Sequence, residues 1–320
     1  MLPAMRDFFF SLKLKLLDVA GLGGFFLVRR LERRLSPAAL WRFWQPVAAG
    51  RVALNTLFKQ DTAVSAHPNF LRGWMTVRQL RQRRRADYCN RVLKNFPDRL
   101  AAETWRARAV LEGPEHWTAA QAAGRPVVLA FFHFGPIAEM GLWLRALGIP
   151  AASFSGGSAS RRLWLEPAKD RRSPLPGVPN FFYADELRAA VKFLAPGNAL
   201  LIAVDSPAEK KVLVPAGDGW NFEMATGALR LAARHQAVLI PFTIVDAGGW
   251  KFRLRLHQPV PAELLVAGDE FEQAAAHLLA EMLPVIQAHP EQCRTELVRR
   301  FKPMAMPASA ANVTTGTAGC

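Results

Sequence analysis

His133 has the residue type and the position that catalysis by proton transfer requires. It lies within residues 131–136 (FFHFGP), directly after the apolar run 126–130. A short continuous apolar run is typical of a buried strand, and the Gly-Pro pair after it marks the turn into a helix. At such a turn a histidine can take a proton from a hydroxyl, and a nearby carboxylate such as Glu139 can orient the imidazole and stabilise its charged form. The alternative is a structural histidine at a strand end.

The elements that would position His133 alternate between strands and helices. The first predicted strand covers residues 126–132, and a helix opens at Pro136, since proline suits the first helical position. Further strands are predicted at 149–155, 199–204, 237–245 and 251–257, and further helices at 185–194, 223–235 and 269–288. This alternation predicts an α/β fold with a central mixed, largely parallel sheet flanked by helices.

Asp205 directly follows the predicted strand 199–204. Ligands of open α/β sheets gather at the carboxyl ends of the strands, so we expect Asp205 to help shape the same site as His133. The alternative is a carboxylate that caps a helix or a turn. The sequence contains no serine or cysteine in a nucleophile-elbow pattern and no metal-ligand cluster, so no metal site is predicted.

The overall charge favours anionic partners. Lysine and arginine number 41 against 26 aspartate and glutamate, a formal net charge of +15. No zinc-knuckle, RNA-binding aromatic or helix-turn-helix pattern accompanies this excess, so no nucleic acid is expected as a partner. The three cysteines form no CxxC pair, which is typical of a reducing compartment.

The chain divides by composition into four segments. Residues 1–60 form an apolar and basic arm whose longest uncharged run is far short of the roughly 20 apolar residues that span a bilayer. Its apolar residues, arginines and tryptophans predict a helical segment lying in the interface of an anionic membrane; the alternative is a buried helical hairpin. Residues 61–108 predict a basic helical segment with either a binding patch or a solvated face. Residues 109–303 form the α/β domain, and 304–320 a disordered tail.

Several short stretches occur in an order and spacing that are similar to one known family. They are RADYCNRVLKNFP (85–97), LEGPEHW (111–117), GRPVVL (124–129), HFG (133–135), AVD (203–205), ATGALRLA (225–232), IPF (240–242), PEQ (290–292) and RRFK (299–302). Together they resemble the late acyltransferases of lipid A biosynthesis, the lauroyl/myristoyl acyltransferase family within the wider lysophospholipid and glycerolipid acyltransferases.

The resemblance implies an O-acyltransferase at the cytoplasmic face of the bacterial inner membrane. It would move a fatty acyl chain from acyl carrier protein, or from coenzyme A, to a hydroxyl of a lipid or glycolipid. The donor is a substrate, so no cofactor is expected, and an acidic carrier protein would be attracted to a basic surface. His133 would be the general base and Glu139 its orienting acid. Arg171 and Arg172, by their spacing from the motif, would bind phosphate on the donor or acceptor beside Asp205.

One departure from the family pattern affects the predicted pair. Five residues separate His133 from Glu139, whereas the family motif has four between its histidine and its acid. On a regular helix a shift of one residue rotates a side chain by about 100°, so contact requires a changed turn at Gly135-Pro136. The spacing supports an alternative function: a catalytically inactive protein of the same fold that binds lipid or acts as a scaffolding subunit. A nucleic-acid-binding protein would rest on charge alone.

Overall fold

The computed structural model describes residues 23–24, 26–57, 76–155, 173–265 and 271–304. Its strands are β1 (Ala109–Glu112), β2 (Val127–Phe131), β3 (Ala151–Ser155), β4 (Phe181–Tyr183), β5 (Ala199–Ala203), β6 (Lys211–Gly217), β7 (Trp220–Ala225), β8 (Val238–Asp246), β9 (Phe252–Leu256) and β10 (Phe301–Pro303). Its helices are α1 (Pro37–Leu57), α2 (Val77–Asn90), α3 (Glu103–Arg106), α4 (Pro114–Ala122), α5 (Ile137–Ala146), α6 (Leu187–Phe193), α7 (Gly227–His235), α8 (Glu272–Ala288) and α9 (Thr295–Val298).

The central sheet of the described chain has seven strands in the order β1-β9-β8-β2-β5-β3-β4. The strands from β8 to β4 pair in parallel, while β1 and β9 pair in parallel with each other and run antiparallel to β8. The inner strand β2 is a continuous run of buried apolar residues, as expected for a parallel strand covered on both faces. The predicted α/β class, with a mixed and largely parallel sheet, is confirmed.

Two apolar layers cover the two faces of this sheet. Helices α7 and α8 pack on one face through residues such as Leu229 and Leu278. The other face carries α5 together with the N-terminal segments. It includes the buried Trp250, whose ring contacts Trp41 and Trp105 at centroid distances of 5.3 and 5.5 Å. The N-terminal segment is therefore part of the core of the domain.

A second, antiparallel sheet has the order β10-β7-β6 and contradicts one prediction. Residues 223–235 were expected to be a single helix, but 220–225 belong to strand β7 and the helix begins at Gly227. Phe222 is buried, and the tight turn at Asp218-Gly219, with both residues at positive φ, pairs β7 with β6. Since β6 directly precedes β7, the Asp218-Gly219 pair is a local hairpin signal, and the predicted helix was extended too far toward it.

The basic segment 61–108 is helical over α2 and continues in 3-10 turns at Arg91–Asn95 and Pro97–Arg99. Its arginines do not all face solvent, because Arg83 is buried and lies 2.8 Å from Asp87. Within the described ranges, no helix is both long and apolar enough to cross a bilayer. Most of the tail predicted at 304–320 falls outside the described residues.

Candidate active site

The register of two neighbouring strands brings His133 and Asp205 together. Strands β2 and β5 pair in parallel with Phe131 opposite Ala203, so the residues two positions further along each chain meet at the carboxyl edge of the sheet. There His133 Nδ1 lies 2.7 Å from Asp205 Oδ1, and the His133 backbone N–H donates to Asp205 Oδ2 at 2.8 Å. Both carboxylate oxygens of Asp205 are therefore used to fix one histidine.

Burial and charge act in opposite directions on the imidazole. Burial acts to lower the pKa of His133, but the hydrogen bond to Asp205 and the charge of that carboxylate outweigh it, so the pKa is raised above its ordinary value. Glu296 raises the pKa further, and Arg294 lowers it. Asp205 is fully buried, whereas the His133 side chain keeps 22% of its surface exposed. The carboxylate is therefore buried, while part of the imidazole surface stays accessible to solvent.

The turn after His133 is fixed by the C-terminal segment of the chain. Gly135 N–H donates to the Gln292 carbonyl at 2.9 Å, and Arg294 N–H donates to the His133 carbonyl at 3.0 Å. Gly135 has a φ of +66°, and a Cβ added there would lie 1.9 Å from the carbonyl oxygen of Ile244. A glycine is required at this position because both its backbone conformation and its surroundings exclude a side chain.

The sequence model of a family described as bacterial lipid A biosynthesis acyltransferase matches residues 90–303, about two thirds of the 320 residues. The chain belongs to this family. His133 and Asp205 both fall within the matched range, and membership indicates acyl transfer to a lipid acceptor by a membrane-associated bacterial enzyme. Comparison with individually curated proteins found none that matches.

The acid in contact with the histidine of this acyltransferase is not the one predicted from the motif. Glu139 was expected to orient His133, but the imidazole is bonded to Asp205. Glu139 lies in the first turn of α5, is 2% exposed, and its Oε1 atom has no hydrogen-bond partner among the described residues. Burial raises the pKa of Glu139, which favours the neutral acid. The Glu139 side chain therefore lies in the protein interior.

A polar network behind the turn was not foreseen from the sequence. Gln292 exchanges two hydrogen bonds of 3.0 Å with the backbone of Asp246, whose carboxylate accepts from Asn90 at 2.8 Å. Arg300 Nε donates to the Asp205 carbonyl at 2.9 Å and also bonds Glu223. Two of the stretches that carry the family resemblance contain these residues: PEQ (290–292) includes Gln292, and RRFK (299–302) includes Arg300. The resemblance was therefore the sequence signal that could have pointed to this network.

Two predicted site residues cannot be placed relative to His133. Arg171 and Arg172 fall outside the described residues, so their expected contact with phosphate stays a prediction. In the part of the chain that the structure describes, no group of three or more His, Cys, Asp or Glu side chains could hold a metal ion.

A narrow gap between side chains, too small to hold a water molecule, lies beside the turn that follows His133. Its lining is apolar except for one threonine, and comprises Phe131, Phe132, Phe134, Ile137, Met140, Phe242, Thr243, Ile244 and Met282. A whole fatty acyl chain therefore requires rearrangement of these side chains or a groove beyond them.

Proposed function

We propose that this acyltransferase moves a fatty acyl chain from acyl carrier protein, or from coenzyme A, to a hydroxyl of a lipid A-type lipid or glycolipid. The observation that carries the proposal is the contact between His133 and the buried carboxylate of Asp205 at the carboxyl edge of the sheet. A histidine held in this way is suited to general base catalysis, and family membership supplies the reaction class.

The pair assigns a role to each imidazole nitrogen. With Nδ1–H donating to Asp205, the basic nitrogen is Nε2, which accepts the proton of the acceptor hydroxyl. The resulting oxygen nucleophile attacks the thioester carbonyl carbon, and the tetrahedral intermediate expels the thiolate of the donor. The proton then passes from His133 to the thiolate sulfur, giving an ester and a free thiol. Asp205 stabilises the imidazolium between these two proton transfers.

The basic surface supports an acidic carrier protein as the acyl donor. Arg78 and Arg81 on α2 and Arg91 just beyond it are exposed, and the chain as a whole carries a formal charge of +15. Complementary charge of this kind accelerates encounter with an acidic partner and weakens as salt is added. Arg171 and Arg172 remain the proposed contacts for a phosphate of the donor or acceptor.

The N-terminal arm supports docking on the cytoplasmic face of an anionic membrane. Arg29 pairs with Asp98 at 2.6 Å, which fixes residues 26–32 to the domain. Phe26 and Leu27 nevertheless remain 60% and 54% exposed. Three exposed arginines lie close to them in the same open cleft: Arg30, Arg33 and Arg34. Apolar side chains beside arginines suit the boundary between acyl chains and anionic headgroups.

The decisive experiment is acyl transfer from labelled acyl carrier protein, and separately from labelled acyl coenzyme A, to a bacterial lipid extract. Wild-type protein is compared with His133→Ala and with the matched control His277→Ala, which removes a histidine on α8. Labelled lipid that forms with wild type and the control but not with His133→Ala would support the proposal, and mass spectrometry would identify the acceptor. Folded, vesicle-binding wild-type protein that transfers no acyl group from either donor would favour the non-catalytic lipid-binding alternative.

A further inference from the structure

We propose that Arg294 is a positioning residue that clamps the catalytic turn of His133 onto helix α2. The inference rests on the proposed function and deepens it, because it assigns a residue outside the motif to the same reaction. Arg294 would act through the turn and through its charge, without touching either substrate.

Arg294 contacts the turn on both sides of its central phenylalanine. Its backbone N–H donates to the His133 carbonyl at 3.0 Å. Its side chain reaches the other end of the turn, where both Nε and Nη2 donate to the Gly135 carbonyl at 3.3 Å. Between these two points Phe134 forms an antiparallel bridge with Cys293. One residue thus fixes the carbonyl groups that flank the tightest part of the turn.

The outer end of the guanidinium is anchored to α2. Nη2 of Arg294 lies 3.3 Å from Asp87 Oδ1, and Asp87 lies 2.8 Å from the buried Arg83. Because Asp87 is held by an arginine one turn earlier on α2, the rotamer of Arg294 is fixed from outside the turn. The Arg294 side chain is 26% exposed, so this link lies at the margin of the site.

The charge of Arg294 gives the proposal a signature that a purely structural residue lacks. The Arg294 guanidinium lowers the pKa of His133, against the raising effect of Asp205. A general base must be neutral before it accepts a proton, so activity increases as pH rises through the pKa of His133. Loss of the Arg294 charge therefore moves the acidic limb of the activity profile to higher pH.

The test compares Arg294→Met, Arg294→Lys and the control Arg299→Met, which removes an exposed arginine from the same segment. For Arg294→Met we expect kcat to fall about tenfold or more at similar KM, with the acidic limb shifted to higher pH. Arg294→Lys should retain the wild-type limb, since it keeps the charge, but recover kcat only in part, since lysine lacks the planar fork of donors. Arg299→Met should match wild type in both respects.

Two further measurements keep this test independent of folding and of the reaction. If Arg294→Met is unfolded, Asp87→Asn replaces it and should lower kcat at similar KM; wild-type kcat in that variant would overturn the clamp. The pKa of His133, followed by NMR in the absence of substrates, should rise in Arg294→Met. Wild-type protein without transferase activity would overturn the proposed function. An unchanged His133 pKa and an unchanged kcat in Arg294→Met would overturn this inference alone.

Discussion

The neutral imidazole of His133 is the form that can accept a proton from an acceptor hydroxyl. Asp205 makes Nε2 of the imidazole more basic by stabilising the imidazolium. It also fixes the ring through the 2.7 Å contact between its Oδ1 and His133 Nδ1. The cost is a raised pKa, so a larger fraction of the histidine is protonated and inactive at acidic pH. At the residue scale, the proposed chemistry is therefore a balance between base strength and the population of the active form.

Replacement of Asp205 by asparagine should change both the pKa of His133 and its strength as a base. Asp205→Asn removes the charge that raises the pKa of His133, so the acidic limb of the activity profile should move to lower pH. We expect kcat to fall on the order of a hundredfold, because the imidazolium loses its stabilising carboxylate. Asp218→Asn, in the hairpin turn before β7, is the matched control. A limb that moves to higher pH would contradict the assignment of Asp205.

Glu139 should tolerate the corresponding amide. Burial raises its pKa and favours the neutral acid, which glutamine matches in size and charge. We expect kcat of Glu139→Gln to stay within about threefold of wild type, with an unchanged pH profile. A loss as large as that of Asp205→Asn would restore Glu139 as the orienting acid, as the motif predicted. Steady-state kinetics of the two variants side by side distinguish these outcomes.

At the scale of elements, the site is formed by the carboxyl ends of two parallel strands and by the irregular turn that follows His133. Strands β2 and β5 set the distance between His133 and Asp205, and residues 292–294 hold the turn by backbone hydrogen bonds. Pro136 precedes the helix rather than opening it, since α5 begins at Ile137. The helix thus begins one residue later than the pattern predicted.

Gly135 tests how much this turn depends on its backbone. Gly135→Ala should reduce the free energy of unfolding by at least about 2 kcal/mol more than Gly124→Ala, because overpacking adds to the left-handed strain. The two glycines have similar φ values of +66° and +61°, but a Cβ at Gly124 meets nothing within 4 Å. Urea unfolding of both variants provides the measurement. If both alanine variants are destabilised equally, the backbone at Ile244 can move away from the added Cβ without a loss of free energy.

At the scale of the whole molecule, the N-terminal segment has one side packed on the core and one side exposed. Val28 and Leu40 are buried in the same apolar layer as Trp250, as a packed helical hairpin requires. Phe26 and Leu27 on the same segment remain exposed, as an interfacial segment requires. Helical periodicity permits both, because successive residues face different sides of a helix.

Vesicle binding measures the exposed side of this segment. We expect the double variant Phe26→Ser, Leu27→Ser to bind vesicles containing phosphatidylglycerol at least tenfold more weakly than wild type, since each apolar side chain inserted contributes about 1.5–3 kcal/mol. Wild-type binding should also weaken with added salt and on neutral phosphatidylcholine vesicles. Val110→Ser removes an exposed apolar residue from β1 and should bind as wild type does. If the double variant binds vesicles as tightly as wild type, Phe26 and Leu27 do not contribute to membrane binding.

The sequence alone determined the fold class, the position of His133 at a strand end, and the family, because these depend on local apolar runs and on motifs in order. It also located Asp205 at the end of a strand. Only the tertiary structure decided that Asp205, and not Glu139, contacts the histidine. The deciding quantities were the pairing register of β2 with β5 and the course of the turn around Gly135. The register joins residues 127–131 to residues 199–203. The turn is held by Ile244 and the segment 292–294, so both depend on residues far away in the chain that no local pattern encodes.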